Sequence, residues 1–135
     1  MDTSVAVKWF LPEIHREAAT RVLKSKRELL APDLIWAEVG NTLWKKVRRD
    51  EITPEEANDI LKDFMRFPIQ TYGHKTLLEA AWSLAGQSAI SVYDGLYLAL
   101  AVGRDCSLVT ADRKFYDALH KKSIGSRLVW IEDAE

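Results

Sequence analysis

The chain has 135 residues, 47% of them hydrophobic and 29% charged, values typical of a folded domain and not of a disordered chain. Its 19 Lys and Arg residues against 20 Asp and Glu residues leave a net charge of −1, which excludes a global basic field, so a polyanion would have to be held by local patches or metal ions. The single cysteine, Cys106, excludes an internal disulfide, and with no export signal or apolar membrane segment we expect one cytoplasmic domain over residues 1–135.

Apolar periodicity and capping residues divide the chain into short strands that alternate with helices. The predicted elements, in chain order, are a first strand at Met1–Asp2, helices over Val5–Leu11 and Glu13–Lys26, a strand over Leu29–Ala31, helices over Asp33–Arg49 and Thr53–Arg66, a strand over Pro68–Tyr72, helices over Lys75–Ala85 and Ser91–Val102, a strand over Ser107–Thr110, a helix over Arg113–His120 and a strand over Arg127–Ile131. This alternation predicts an α/β fold, with a mostly parallel sheet covered by helices on both faces.

The helix that begins at Ser91 is the most apolar one, yet it carries a carboxylate, Asp94, one turn from its start. A charge in such a helix loses favourable hydration unless a partner compensates. One interpretation is local, because Ser91 and Asp94 match a capping box and an acid in the first turn suits the helix dipole. The other is that Asp94 faces a cation. This helix alone does not separate the two.

Three further acids are predicted near the same edge of the sheet. Asp2 and Asp112 follow strands at the carboxyl ends, where parallel sheets form their reactive crevice. Glu38 lies at the edge of the apolar stripe of its helix. Each has an ordinary interpretation as well: Asp2 and Asp112 as helix N-caps, and Glu38 as a solvated acid.

Four carboxylates in one pocket would repel, and an oxygen cluster of that charge is what Mg²⁺ or Mn²⁺ requires. Such a site can activate water and polarise a phosphodiester. Supporting groups would be the hydroxyls of Ser4 and Thr110 and the amide of Asn41, which could orient a carboxylate or water. The sequence therefore predicts a metal site made by the four acids, which are Asp2, Glu38, Asp94 and Asp112.

Four segments of the chain resemble the acidic motifs of PIN domains, specifically those of VapC-type toxins. They are Asp2-Thr3-Ser4-Val5-Ala6-Val7-Lys8-Trp9, Ala37-Glu38-Val39-Gly40-Asn41-Thr42-Leu43, Tyr93-Asp94-Gly95-Leu96-Tyr97-Leu98-Ala99-Leu100-Ala101 and Leu108-Val109-Thr110-Ala111-Asp112-Arg113. Their order, spacing and flanking residues all fit, and the resemblance covers essentially the whole chain.

The resemblance implies a three-layer PIN-like fold and a Mg²⁺- or Mn²⁺-dependent endoribonuclease that leaves a 5′-phosphate. It also implies a homodimer, and inhibition by a VapB-type antitoxin whose C-terminal segment packs over the toxin and can send a basic side chain into the acidic site. DNA would be reached only through the antitoxin. Arg113, directly after Asp112, is a possible contact for RNA phosphate.

One departure from the family concerns the amino end. In the family several apolar residues precede the first Asp and form the central strand, whereas here Met1 alone precedes Asp2. The departure predicts a truncated strand, a chain that starts late relative to its natural product, or a shortened strand that suffices.

Two other functions remain open at this point. A haloacid-dehalogenase-like phosphatase also begins with an Asp near a first strand, but it ordinarily needs an acid two residues later, where this chain has Ser4. A PIN-fold protein that is weakly active or inactive, and that acts mainly through binding in an antitoxin/DNA complex, is the alternative to the ribonuclease.

Overall fold

A computed structural model of the chain describes residues 1–25 and 27–134. Within them the helices are α1 (Thr3–Ala6), α2 (Arg16–Lys24), α3 (Leu34–Arg48), α4 (Pro54–Met65), α5 (His74–Ser88), α6 (Val92–Gly103) and α7 (Arg113–Leu119). The strands are β1 (Leu29–Pro32), β2 (Ile69–Tyr72), β3 (Leu108–Thr110) and β4 (Leu128–Trp130), and short 3-10 helices cover Val7–Trp9, Ser123–Arg127 and Ile131–Asp133. The predicted α/β class is confirmed.

The described strands form two parallel pairs. In the first, β1 lies beside β2 with Leu29 opposite Ile69, and in the second, β3 lies beside β4 with Leu108 opposite Leu128. Helix α6 packs against both β1 and β3, so one helix covers the neighbouring edges of the two pairs. All of this pairing is parallel, as predicted.

Met1 and Asp2 connect the two pairs without forming a strand. The amino group of Met1 donates a hydrogen bond to the carbonyl oxygen of Leu30 in β1 (3.4 Å), and the N–H of Asp2 donates to the carbonyl oxygen of Val109 in β3 (3.2 Å). Two residues are too few to make a repeating ladder. The predicted first strand is therefore absent, although its two residues lie on its expected path.

A cleft of about 400 Å³ opens beside Met1, between the facing edges of β1 and β3. Leu30 and Val109 line its strand sides, and Leu100 and Ala101 of α6 line its helix side. In an extended strand the N–H and C=O of one residue point to the same edge. Because the carbonyls of Leu30 and Val109 bond to Met1 and Asp2, their N–H groups also face this gap.

Several of the predicted helix limits change, among them the start of the second helix, which lies at Arg16 and not at Glu13. The first helix begins at Thr3 and not at Val5, since Asp2 already acts as its N-terminal flanking residue. Helix α5 runs through Gly86 and stops at Ala89, whose backbone is left-handed (φ 54°). A glycine in a helix weakens it without ending it, whereas a left-handed residue ends it.

Other helix limits follow the capping residues. At α4 the N–H of Glu56 donates to the hydroxyl of Thr53 (3.1 Å), and the N–H of Thr53 donates to the carboxylate of Glu56 (3.4 Å), so the predicted capping box is confirmed. The predicted end of the second helix, Lys26, lies outside the described residues. None of the helices that the structure describes is long and apolar enough to span a membrane.

Helix α6 is the central element of the fold. Its residues from Gly95 to Ala101 are all buried, and a Cβ at Gly95 would lie only 2.6 Å from the carbonyl oxygen of Ala81 in α5. The two helices therefore meet at backbone contact, which a larger residue at this position would prevent. This contact fixes the orientation of α6, and with it the position of the neighbouring Asp94.

Candidate active site

Asp2 is the most deeply buried of the four predicted acids, with 8% of its surface exposed. Its Oδ1 accepts a hydrogen bond from the hydroxyl of Ser4, and its Oδ2 accepts one from the hydroxyl of Thr110 at 2.5 Å. Each carboxylate oxygen thus has one protein donor and keeps further acceptor capacity. The two hydroxyls that the sequence predicted as supporting groups do contact this acid.

The protons of these two hydroxyls are directed by the backbone. Ser4 accepts a hydrogen bond from the N–H of Ala111 (2.9 Å), and Thr110 accepts one from the N–H of Asp112 (3.0 Å). Because each hydroxyl has a single proton, and each oxygen is already accepting, that proton is available to Asp2. The segment that follows β3 therefore orients a carboxylate at the other end of the chain.

Glu38 is held by a second pair of hydroxyls. Its Oε1 accepts hydrogen bonds from the hydroxyl of Tyr97 at 2.6 Å and from that of Thr3 at 3.0 Å, and the two hydroxyl oxygens lie 3.0 Å apart. Burial and the neighbouring Glu38 raise the pKa of Tyr97 well above its usual range. The tyrosine therefore stays protonated and acts as a donor.

Asn41 makes no described hydrogen bond to the Glu38 carboxylate, and its predicted part in orienting a water stays a prediction. It lies exposed on α3, and among the described residues the hydrogen bonds to the Glu38 carboxylate come from Thr3 and Tyr97 instead. Sequence reasoning missed both of these residues. Two signals were present, since Thr3 directly follows Asp2, and a residue three positions after Asp94 shares its helix face.

Asp94 and Asp112 both lie at helix starts, and of the capping box predicted for Ser91 and Asp94 the described hydrogen bonds contain only the one to Ser91. The N–H of Asp94 donates to the hydroxyl of Ser91 (3.0 Å), which caps α6, and Oδ1 of Asp112 accepts from the N–H of Phe115 (3.1 Å), which caps α7. Asp94 is partly buried and Asp112 is exposed. Capping occupies one oxygen of Asp112 and leaves the other free.

The acids are close enough to perturb one another. Burial, followed by the charges of Asp112 and Asp2, raises the pKa of Asp94 from 3.8 to about 6, while the hydroxyl of Ser91 opposes the shift and Glu38 adds to it. Burial also raises the pKa of Asp2, against the hydrogen bonds from Ser4 and Thr110, and Asp112 adds to the rise. The structure thus brings all four predicted acids into one electrostatic group.

The charge of this group has little compensation from the protein. Across the described ranges, the ion pairs formed by Lys, Arg and His side chains involve other acids, which are Glu13, Glu51, Asp105, Asp117 and Glu132. The Met1 amino group lies near Asp2 and lowers its pKa, but burial outweighs this effect.

The donor set fits a hard divalent cation in charge and in chemistry, because all four groups offer carboxylate oxygens. No three of the His, Cys, Asp or Glu side chains in the described residues have the spacing of a finished metal site. The four acids therefore form an anionic pocket. To coordinate one ion, their side chains would have to approach one another more closely.

Arg113 lies beside this pocket on an aromatic support. Its guanidinium carbon is 3.7 Å from the centre of the Trp130 ring, and a nitrogen of the group is 3.6 Å from the carboxylate of Asp117. More than half of the Arg113 side chain is exposed (57%). It is a cation held in place but open to solvent.

Comparisons with known sequences identify the family of the chain. The sequence model of the PIN domain family matches residues 1–120. The chain is 33% identical over 116 residues to Ribonuclease VapC3 of Pyrobaculum aerophilum (84% of this chain and 88% of that protein), and 28% identical over 117 residues to VapC ribonuclease Mb0985 of Mycobacterium bovis (87% of each). It is 38% identical over 85 residues to Ribonuclease VapC1 of Mycobacterium tuberculosis (62% of each). The chain belongs to the PIN domain family, as a VapC-type member of it.

Proposed function

We propose that this protein is a metal-dependent endoribonuclease of the VapC toxin type, in which Asp2, Glu38, Asp94 and Asp112 hold Mg²⁺ or Mn²⁺. The observation that carries the proposal is the raised pKa of Asp94, about 6, in a pocket shared with three other acids. A bound cation would offset the mutual repulsion of these carboxylates. The names of the relatives supply the reaction, since they are ribonucleases.

The chain's own residues have separate parts in this mechanism. Ser4 and Thr110 fix the Asp2 carboxylate from both sides, so that its remaining acceptor sites keep one direction. Asp112 has one oxygen outside its capping bond, and Asp94 is presented by the rigid α6. A bound cation would supply an activated water for in-line attack and would polarise the phosphoryl group.

Arg113 would contact the RNA backbone. A guanidinium stacked on Trp130 loses less side-chain freedom when it binds a phosphate than an unsupported arginine does. Since the net charge of the chain is −1, such local contacts and the metal would have to provide the attraction for RNA.

Two exposed apolar surfaces suit the expected protein partners. The groove between α3 and α4, about 210 Å³ in volume, is lined by Leu43 and by Trp44, which is 58% exposed, and we assign it to a segment of a VapB-type antitoxin. DNA would be bound only through that antitoxin. Leu78 and Trp82, 48% and 72% exposed, share one face of α5 and are assigned to a homodimer. Sedimentation of the protein and of Trp82→Glu tests the dimer, which the variant should lose.

Cleavage of a mixed RNA pool in the presence of Mn²⁺ tests the enzymatic proposal. Asp2→Asn and Asp112→Asn are expected to abolish cleavage, and Asp59→Asn, an exposed acid on α4, is the matched control that should retain it. Millimolar Mn²⁺ should also raise the melting temperature of the unmutated protein by mass action. If the protein neither cleaves RNA nor is stabilised by Mn²⁺, the result favours the alternative function, a PIN-fold partner that acts mainly through binding in an antitoxin/DNA complex.

A further inference from the structure

The hydroxyls of Tyr97 and Thr3 converge on a single oxygen of Glu38. Oε1 receives both hydrogen bonds, at 2.6 Å and 3.0 Å, while Oε2 has none from the residues that the structure describes. The two oxygens of this carboxylate therefore differ. Oε1 is fixed by the protein, and Oε2 remains available to another ligand.

The proton count decides how this cluster is arranged. Three short contacts connect Tyr97, Thr3 and Glu38, but two hydroxyls supply only two protons. Both protons go to the carboxylate, because bonds to an ionised acceptor are about twice as strong as bonds between neutral groups. The third contact, between the two hydroxyl oxygens, then follows from their sharing an acceptor.

Each hydroxyl is attached next to another acid of the pocket. Tyr97 lies on α6 one turn after Asp94 and is 4% exposed, so its ring is fixed by packing. Thr3 directly follows Asp2 in the chain. Through these two bonds Glu38, which belongs to α3, is held at a set distance from the segments that carry Asp94 and Asp2.

We propose that Tyr97, together with Thr3, is a positioning residue that fixes Glu38 through Oε1 and leaves Oε2 free as a ligand for the divalent cation. The inference rests on the proposed function and adds to it a pair of residues that bind no metal themselves. Hydrogen-bond partners of a metal ligand hold its orientation, and losing such a partner typically costs about 10- to 100-fold in metal affinity.

Titration of the full chain with Mn²⁺ in a calorimeter, without RNA, tests this inference. Tyr97→Phe is expected to raise the Kd for Mn²⁺ by about 10-fold or more. Tyr93→Phe is the matched control, because Tyr93 lies on the same helix with 63% of its surface exposed, and it should bind Mn²⁺ as the parent does. Thr3→Val should also weaken binding, whereas Thr3→Ser keeps the hydroxyl and should restore it.

Urea unfolding of the metal-free variants separates positioning from a merely structural role. If Tyr97→Phe loses stability but binds Mn²⁺ as tightly as Tyr93→Phe, the inference is wrong and the tyrosine only supports the fold. If the parent protein binds Mn²⁺ and cleaves RNA while Tyr97→Phe does both equally well, the inference fails alone. A parent protein that binds no Mn²⁺ overturns the proposed function, and this inference with it.

Discussion

Replacing Asp94 by Asn removes a charge that the metal-free fold disfavours, so the variant should be the more stable protein near neutral pH. A pKa raised from 3.8 to about 6 corresponds to about 3 kcal/mol, at 1.36 kcal/mol for each pKa unit. Asp94 is only partly buried, and screening by solvent reduces this to about 1 to 2 kcal/mol. Loss of a favourable carboxylate at the start of α6 offsets about 0.3 to 1 kcal/mol. The expected net gain is about 1 kcal/mol at pH 7.

The gain depends on pH in a defined direction. In the folded protein Asp94 keeps its proton up to about pH 6, whereas in the unfolded chain it loses the proton near pH 4, at about its ordinary pKa. Between these values the folded state binds more protons, so the parent protein loses stability as the pH rises. Below about pH 4 both states are protonated and the penalty disappears. Parent and variant should therefore converge at low pH and separate at pH 7.

Urea unfolding with a chelator present, at several pH values, measures this difference, and the same samples are assayed for RNA cleavage with Mn²⁺. Ser91→Ala is the control for the helix cap and should cost about 1 kcal/mol at low pH. Because the Ser91 hydroxyl also opposes the rise in the pKa of Asp94, its cost should grow toward pH 7, in contrast to the gain expected for Asp94→Asn. Asp94→Asn should lose cleavage. A variant that is less stable than the parent at pH 7 and still cleaves RNA would refute the reasoning and leave Asp94 with only a local role at the start of α6.

Two further predictions concern the packing around the pocket. Gly95→Ala should lower the free energy of unfolding by about 1 to 3 kcal/mol, because its Cβ would lie 2.6 Å from the carbonyl oxygen of Ala81. Gly86→Ala, where a Cβ meets nothing within 4 Å, is the control and should be neutral or stabilising in urea unfolding. Four β-branched residues fused ahead of Met1 should pair with the facing edges of β1 and β3. This fusion should melt about 5 °C higher than a control fusion in which the four added residues are Gly and Ser. Equal melting temperatures would show that the cleft accepts no strand.

Local signals in the sequence predicted most of the fold. The Thr53, Pro54 and Glu56 pattern located the start of α4 because a capping box is made by residues within one turn. The parallel class followed from the alternation of helices and strands. The end of α5 was missed, because Gly86 is the usual stop signal, whereas the actual stop is the left-handed Ala89, a conformation that alanine rarely adopts.

The site was predicted in part, because local signals locate some of its residues but not the contacts between distant elements. Asp2, Asp94 and Asp112 could be placed from strand ends and helix starts, and the structure finds them in one electrostatic group. The hydroxyl partners of Glu38 could not be chosen in the same way. Asn41 is its neighbour along α3, but the contact to Tyr97 depends on where the fold places α6 relative to α3, which no local pattern encodes.

The hydrogen bonds around Asp2 have a consequence for the order in which the protein is made. Synthesis runs from the amino end, so Asp2 and Ser4 leave the ribosome before Thr110, Ala111 and Asp112 do. The carboxylate of Asp2 therefore lacks one of its two hydroxyl donors until Thr110 has been made. The Asp2 carboxylate therefore gains its full set of hydrogen bonds only once β3 and the residues that follow it have been translated.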